Sequence, residues 1–233
     1  STKINLVMSL DVQHFIHVDI TKLYHITSKS NLRSILVNNL LSKNELKKKG
    51  IVPNNISESD VQRRRHEKYP DIVKNNIPLF FNKITPMLYY RKNIHDSLII
   101  LEFNITDLEK NNKTNWEKSC YTNKNLAICG TTPIYDSIEV YEYPLNIFSK
   151  IGWQSTGNKE YHAQAQAEFL FYNEIEIESL SKIHVSKSYL ITEIEQIISE
   201  ISLSNIDVQA SSFVFLNSKL DELTLTNEVE NDI

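Results

Sequence analysis

Residues 166–171 read Gln166-Ala167-Glu168-Phe169-Leu170-Phe171, a carboxylate set at the mouth of an apolar, aromatic run. Such a short run predicts a buried strand beginning at Glu168. A glutamate in that position is either a strand-edge charge or a group aimed into a cleft. Gln166 lies two residues earlier, hence on the same strand face. Downstream, Ile183-His184-Val185 reads as a strand, Glu193 to Ile201 as a helix, and Ser212 to Leu216 as a closing strand.

Upstream, Ser97 to Phe103 is the clearest buried strand, because its apolar residues run without alternation. Ile77 to Phe81 and Leu23 to Thr27 are shorter strands. Ser30 to Leu36 reads as a helix entered through a Ser or Asn cap, with Leu32, Ile35 and Leu36 on one face. Pro86-Met87-Leu88-Tyr89-Tyr90 starts a helix with proline in its first turn. Residues 43–68 are polar and basic, a loop or short helices, and the Asn-rich stretch 104–135 reads as loop. Together these predict an α+β fold, a strand-rich core with flanking helices. The divisions are an N-terminal extension at 1–19, laid on the core as strand or helix, a domain at 20–216 and a polar tail at 217–233.

Composition narrows the chemistry. Four glycines in 233 residues, with neither GxGxxG nor a P-loop, argue against a Rossmann or Walker nucleotide site. Cys120 and Cys129 stand outside C-x-x-C spacing and the histidines add no recognisable ligand set, so no metal is expected and the thiols read as reduced. No apolar run approaches membrane-spanning length, and the N-terminal region lacks a signal-peptide layout; a cytoplasmic protein is expected. The net charge of −4 counts against broad nucleic-acid binding, yet Lys47–Lys49, Arg63–Arg65 and the stretch holding Lys110, Lys113, Lys118 and Lys124 are locally basic.

Four constellations could carry chemistry: Tyr24-His25-Ile26-Thr27 with Asn31, Arg63-Arg64-Arg65, Pro86 to Tyr90, and Gln166 to Leu170. Each has a structural reading of its own. His25 can be a core histidine satisfied by backbone, Asn31 a helix cap, the arginines a solvated face, and Tyr89 and Tyr90 core and rim aromatics.

Their order and wording resemble the DarT family of ADP-ribosyltransferases. Tyr24 to Thr27 with Asn31-Leu32 and Ile35-Leu36, then Pro78-Leu79-Phe80-Phe81 through Pro86-Met87-Leu88-Tyr89, then Gln166 to Leu170 follow that family's pattern across roughly residues 20–216. Departures lie at Ser28-Lys29-Ser30, at Arg33 and in the loop Thr122 to Ala127, which bear on base and sequence preference. The resemblance implies an ADP-ribosyltransferase-like fold and an NAD-consuming enzyme without a metal. It implies a bacterial toxin that modifies a base in single-stranded DNA, paired with an ADP-ribosylglycohydrolase antitoxin.

By the same resemblance Glu168 is the essential carboxylate and Arg65 the catalytic arginine, with Arg64 second. His25, Thr27, Asn31, Tyr89 and Arg65 hold NAD, Tyr89 by stacking on the nicotinamide. Gln166, Arg64, Tyr121, Trp116 and Lys118 are expected to meet the strand. A carboxylate suits the oxocarbenium-like ribose formed when the glycosidic bond breaks, and arginine suits pyrophosphate. Two other readings remain open from the residues: the same fold acting on protein, RNA or water, and a non-catalytic nucleic-acid-binding module.

Overall fold

The computed structural model describes residues 10–128, 130–136, 163–203, 205–211 and 215. Asp11 caps a short helix, α1 (Val12–His17), by accepting the Gln13 N–H, and α1 buries Phe15 completely. The stretch expected as an extension laid on the core is therefore helical at 12–17. Strand β1 (Lys22–Ser28) leads through a 3-10 turn, Lys29–Asn31, into α2 (Leu32–Asn38). Leu32, Ile35 and Leu36 are buried at the i, i+3, i+4 spacing, as their pattern predicted. Asn39, with φ of 72° and ψ of 171°, ends the helix in a positive-φ conformation outside the left-handed helical well, one that is strained for any residue but glycine.

Short strand β2 (Leu40–Leu41), helix α3 (Lys43–Lys48), helix α4 (Ser59–Lys68) and helix α5 (Pro70–Asn75) follow. Then come β3 (Asn76–Phe80), α6 (Pro86–Tyr90) and β4 (Leu98–Asn104). Thr85 caps α6 through the Leu88 N–H, with Pro86 inside the first turn.

The stretch 104–135, expected as loop, instead holds α7 (Ile105–Asn111), α8 (Lys113–Trp116), β5 (Cys120–Thr122) and β6 (Ile134–Tyr135). Its asparagines concealed the buried Ile105, Leu108 and Trp116, and they serve as connectors. Asn112 donates to Ser179 Oγ and accepts the Glu176 N–H, and Asn115 donates to the Glu174 carbonyl. Beyond lie β7 (Glu168–Tyr172), β8 (Glu174–Ile175), β9 (Leu180–Val185), α9 (Tyr189–Glu200) and β10 (Asp207–Ala210). The last described strand is 207–210 rather than 212–216. Residues 212–214 and 216 lie outside the described residues, and Phe215 is a buried turn residue packed with Phe80 and Leu98.

Among the described residues one eight-stranded sheet runs β10-β9-β4-β1-β3-β7-β5-β6, antiparallel except where β10 lies parallel to β9. Strand β4 is buried from Leu98 to Phe103 and pairs with β1 along its length, Lys22 opposite Asn104 through Ser28 opposite Leu98. Alternation on β7 sends Phe169 and Phe171 into the main core with Phe15 and Trp116, and turns Glu168 and Leu170 to the other face. The core thus holds the strand while its first residue faces away from it.

Candidate active site

Between β1 and β3 the sheet is nearly unzipped: they meet at one register point, Tyr24 opposite Phe80. Pro78 in β3 has no N–H to offer a ladder. A side chain bridges the gap instead, His25 Nδ1 lying 2.9 Å from the Pro78 carbonyl. A carbonyl can only accept, so Nδ1 carries the hydrogen. Burial lowers the His25 pKa against the raising effect of that bond, which keeps the ring neutral and leaves Nε2 as an acceptor.

Where the strands part lies a cleft of about 320 Å³, lined by His25, Thr27 and Asn31 from one side and Pro78 and Phe80 from the other, with Arg65 among its walls. Asn31 does not cap α2. Its amide donates to Thr27 Oγ1 (3.0 Å) and the Asn54 carbonyl (2.8 Å) and accepts the Asn54 N–H (2.8 Å), pinning the 50s loop over the cleft.

Helix geometry resolves the arginine triplet. Gln62 and Arg65, three residues apart, face the same way and both line the cleft. Arg63 pairs with Asp60 and Glu67 of its own helix, and Arg64 is exposed. Arg65 grips Glu168 with both terminal nitrogens, at 2.5 and 2.7 Å, and Glu168 is fully buried. This planar fork on a carboxylate, almost shut off from water, is a strong form of ion pair. Phe80 stands directly opposite Glu168 across the β3–β7 ladder.

Two wall residues escaped the sequence reading. Phe80, rather than Tyr89, is the aromatic lining the cleft; Tyr89 is not among the lining residues, and its ring packs edge-on to Tyr90 with Lys92 5.6 Å above it. The cause is that α6 turns Met87 to the cleft and not the tyrosine two residues on. Lys43 also lines the cleft, and burial with the nearby Arg65 charge lowers its pKa. Its position just after the Ser42 cap gave no signal distinguishing it from any surface lysine.

The family model for DarT, described as an ssDNA thymidine ADP-ribosyltransferase, matches residues 24–216. The chain belongs to the DarT family. It is therefore an ADP-ribosyltransferase of single-stranded DNA that draws ADP-ribose from NAD. A sequence comparison with curated proteins gave no match. Among solved structures, Thermus sp. 2.9 DarT in complex with ADP-ribosylated ssDNA superposes with a TM-score of 0.70 at 18% identity, over 85% of this chain and 97% of that one. The same protein in complex with NAD+ gives 0.65 at 17%, over 85% and 98%. Thermosipho africanus DarTG in complex with ADP-ribose gives 0.67 at 21%, over 84% of this chain and 51% of that one. At such identities the likeness is one of fold.

Within this DarT-family chain the residues expected to meet DNA separate. Trp116 is a core residue, stacked on Phe169 at 5.0 Å with its indole N–H on the Leu10 carbonyl, so it is withdrawn as a stacking platform for bases. Tyr121 is fully buried, stacked on Tyr135, and is withdrawn with it. Both were drawn inward because a large ring gains more from burial than from solvent. Lys118 is exposed, its ammonium 5.4 Å above the Tyr172 ring. Gln166 is half-buried in the turn before β7, so the shared strand face with Glu168 does not hold. Cys120 is buried, and burial with the Asp136 and Glu168 charges pushes its thiol up to about 12, unsuited to nucleophilic work. Cys129 lies outside the described residues. No group of metal-ligating side chains occurs, and no helix is long and apolar enough to cross a membrane, among the described residues.

Proposed function

We propose that the cleft between β1 and β3 binds NAD with its scissile ribose at Glu168, and that the accepting base is thymine, as the family's description has it. The observation carrying this reading is Arg65 at the wall of the cleft, its guanidinium held by the buried Glu168 behind it, with a neutral histidine, a threonine, an asparagine and an aromatic ring on the other walls. His25 Nε2 accepts a ribose hydroxyl, and Thr27 and Asn31 add polar contacts beside it. Phe80 offers an apolar wall for the nicotinamide. Lys43 and Arg65 are the cations suited to the pyrophosphate.

Glu168 supplies negative charge as the bond between ribose C1′ and the nicotinamide nitrogen breaks. The bonding electrons leave with nicotinamide, a base nitrogen forms the new bond to C1′, and its proton passes to Glu168. For this the guanidinium must give up at least one carboxylate oxygen, which the pyrophosphate charge favours. A single-stranded substrate spares the cost of extracting the base from a duplex. In the cell the chain acts as a cytoplasmic toxin countered by an enzyme that removes ADP-ribose from DNA.

The test is incubation with NAD and single-stranded oligonucleotides, followed by mass spectrometry. An ADP-ribose adduct on thymine, absent with Glu168→Ala, is expected. Nicotinamide release without any DNA adduct would instead assign the acceptor to water or another polymer.

A further inference from the structure

Helix α4, which carries Arg65, buries none of its ten residues, and its one apolar side chain, Val61, is only half-buried. Hydrophobic docking therefore does little to fix where Arg65 stands. Polar side chains at successive turns hold the helix instead. Gln62 donates to the Ser57 carbonyl (3.4 Å), Arg65 to Glu168, and Lys68 to the carbonyls of Ile128 and Gly130. The Arg65–Glu168 pair is the strongest of these holds, and it is the one that the reaction must loosen.

Tyr69 supplies a second connection between the same two residues. Its backbone N–H caps α4 by donating to the Arg65 carbonyl (2.9 Å). Its hydroxyl accepts the N–H of the buried Thr132 (2.7 Å) and donates to the Thr132 carbonyl (3.2 Å). Thr132 Oγ1 in turn donates to the Asn125 carbonyl (3.1 Å), within the loop that follows β5. At the start of that loop Thr122 Oγ1 donates to the Lys124 carbonyl (2.7 Å) and accepts the Glu168 N–H (3.0 Å). The Tyr69 ring packs on the cluster of Cys120, Leu126 and Leu170, and Leu170 shares its face of β7 with Glu168. Arg65 and Glu168 are thus joined twice, once directly and once through Tyr69 and the loop.

We propose that Tyr69 is a positioning residue that keeps Arg65 in register with Glu168 while their ion pair loosens around NAD. This rests on the preceding reading, in which Arg65 yields a carboxylate oxygen once the substrate is bound. In the free protein the ion pair itself holds α4, so the connection through the loop is redundant. With NAD in the cleft the pyrophosphate draws on the guanidinium, and the loop connection becomes what keeps the helix in place. A misplacement of about 1 Å is enough to cost on the order of a hundredfold in rate. Phenylalanine at position 69 keeps the ring packing, but it breaks both hydroxyl bonds and leaves the buried Thr132 N–H without its acceptor.

Tyr69→Phe tests the inference through hydrogen exchange of the α4 amides, followed by mass spectrometry with and without saturating carbocyclic NAD, whose sugar cannot form the cation at C1′. Without the analogue, α4 of the variant should exchange within about twofold of wild type; with it bound, about tenfold faster. The kcat for nicotinamide release in the presence of oligonucleotide should fall about tenfold or more, with KM for NAD within about threefold of wild type. Thr132→Val cuts the link to Asn125 and spares the backbone bonds to Tyr69. It should give the same pattern should Tyr69→Phe fail to fold. A purely structural role speeds exchange equally with and without the analogue, so an equal effect, or none, overturns the inference and leaves the proposed function standing. A wild-type protein in which the analogue protects no cleft residue overturns the reading on which the inference rests.

Discussion

Arg65 and Glu168, 103 positions apart in the chain, form a two-pronged ion pair in which the glutamate side chain has no exposed surface and the arginine side chain keeps 15%. The asymmetry sets different consequences for losing each partner. Arg65→Ala strands a buried charge, and its cost is expected at about 3–5 kcal/mol. Glu168→Ala frees an arginine that can turn to water, so it should cost clearly less. Thermal unfolding of both variants checks the order, and neither should transfer ADP-ribose.

Arg64 lies on the solvent side of the same helix. Arg64→Ala should keep transfer within about threefold of wild type, the scale of a surface charge, whereas Arg65→Ala loses it. Comparable losses from both changes would mean that the helix face is misassigned.

Phe80→Leu keeps most of the packing volume but removes the ring face from the cleft. Its KM for NAD should rise about tenfold, in line with the worth of one stacking contact. Tyr89→Leu should leave KM nearly unchanged. Steady-state nicotinamide release measures both.

His25 works as a neutral acceptor. Burial depresses its pKa below the ordinary 6.5, so the acceptor state is present at neutral pH. It is lost only as the pH falls through that lowered value. The KM for NAD should therefore rise in acid with an inflection below 6.5. An inflection above 6.5 would contradict the assigned environment.

Glu102 of β4 receives hydrogen bonds from His184 (2.6 Å) and Lys22 (2.7 Å) on the neighbouring strands. Burial alone would raise its pKa, but the bonds and charges of His184 and Lys22 outweigh it and bring the carboxyl down to about 2. A carboxylate with a depressed folded value stabilises the fold above its ordinary pKa near 4.5, and this is lost as the pH falls toward 2. Wild type should therefore lose stability relative to Glu102→Gln across that interval. Parallel melting curves at pH 6, 4 and 3 test it.

Most of the core strands and helix α9 were legible because their apolar residues repeat with the period of the element that buries them. The helices at 105–116 were not, since their few buried residues sit among asparagines whose bonding partners lie far along the chain. Trp116 and Tyr121 show the same limit. An aromatic in a polar stretch reads as a binding platform until packing decides otherwise.

By itself the sequence determined the order of the main core strands, the α+β class and the identity of Glu168 as the carboxylate opening an aromatic strand, for these rest on local periodicity and on a motif. The tertiary structure alone decided which of three consecutive arginines meets that carboxylate, that Phe80 and Lys43 line the cleft, and that Asn31 pins the 50s loop instead of capping α2. Each of those depends on helix phase, strand register or hydrogen-bond direction between segments distant in the chain, and local composition carries no record of them.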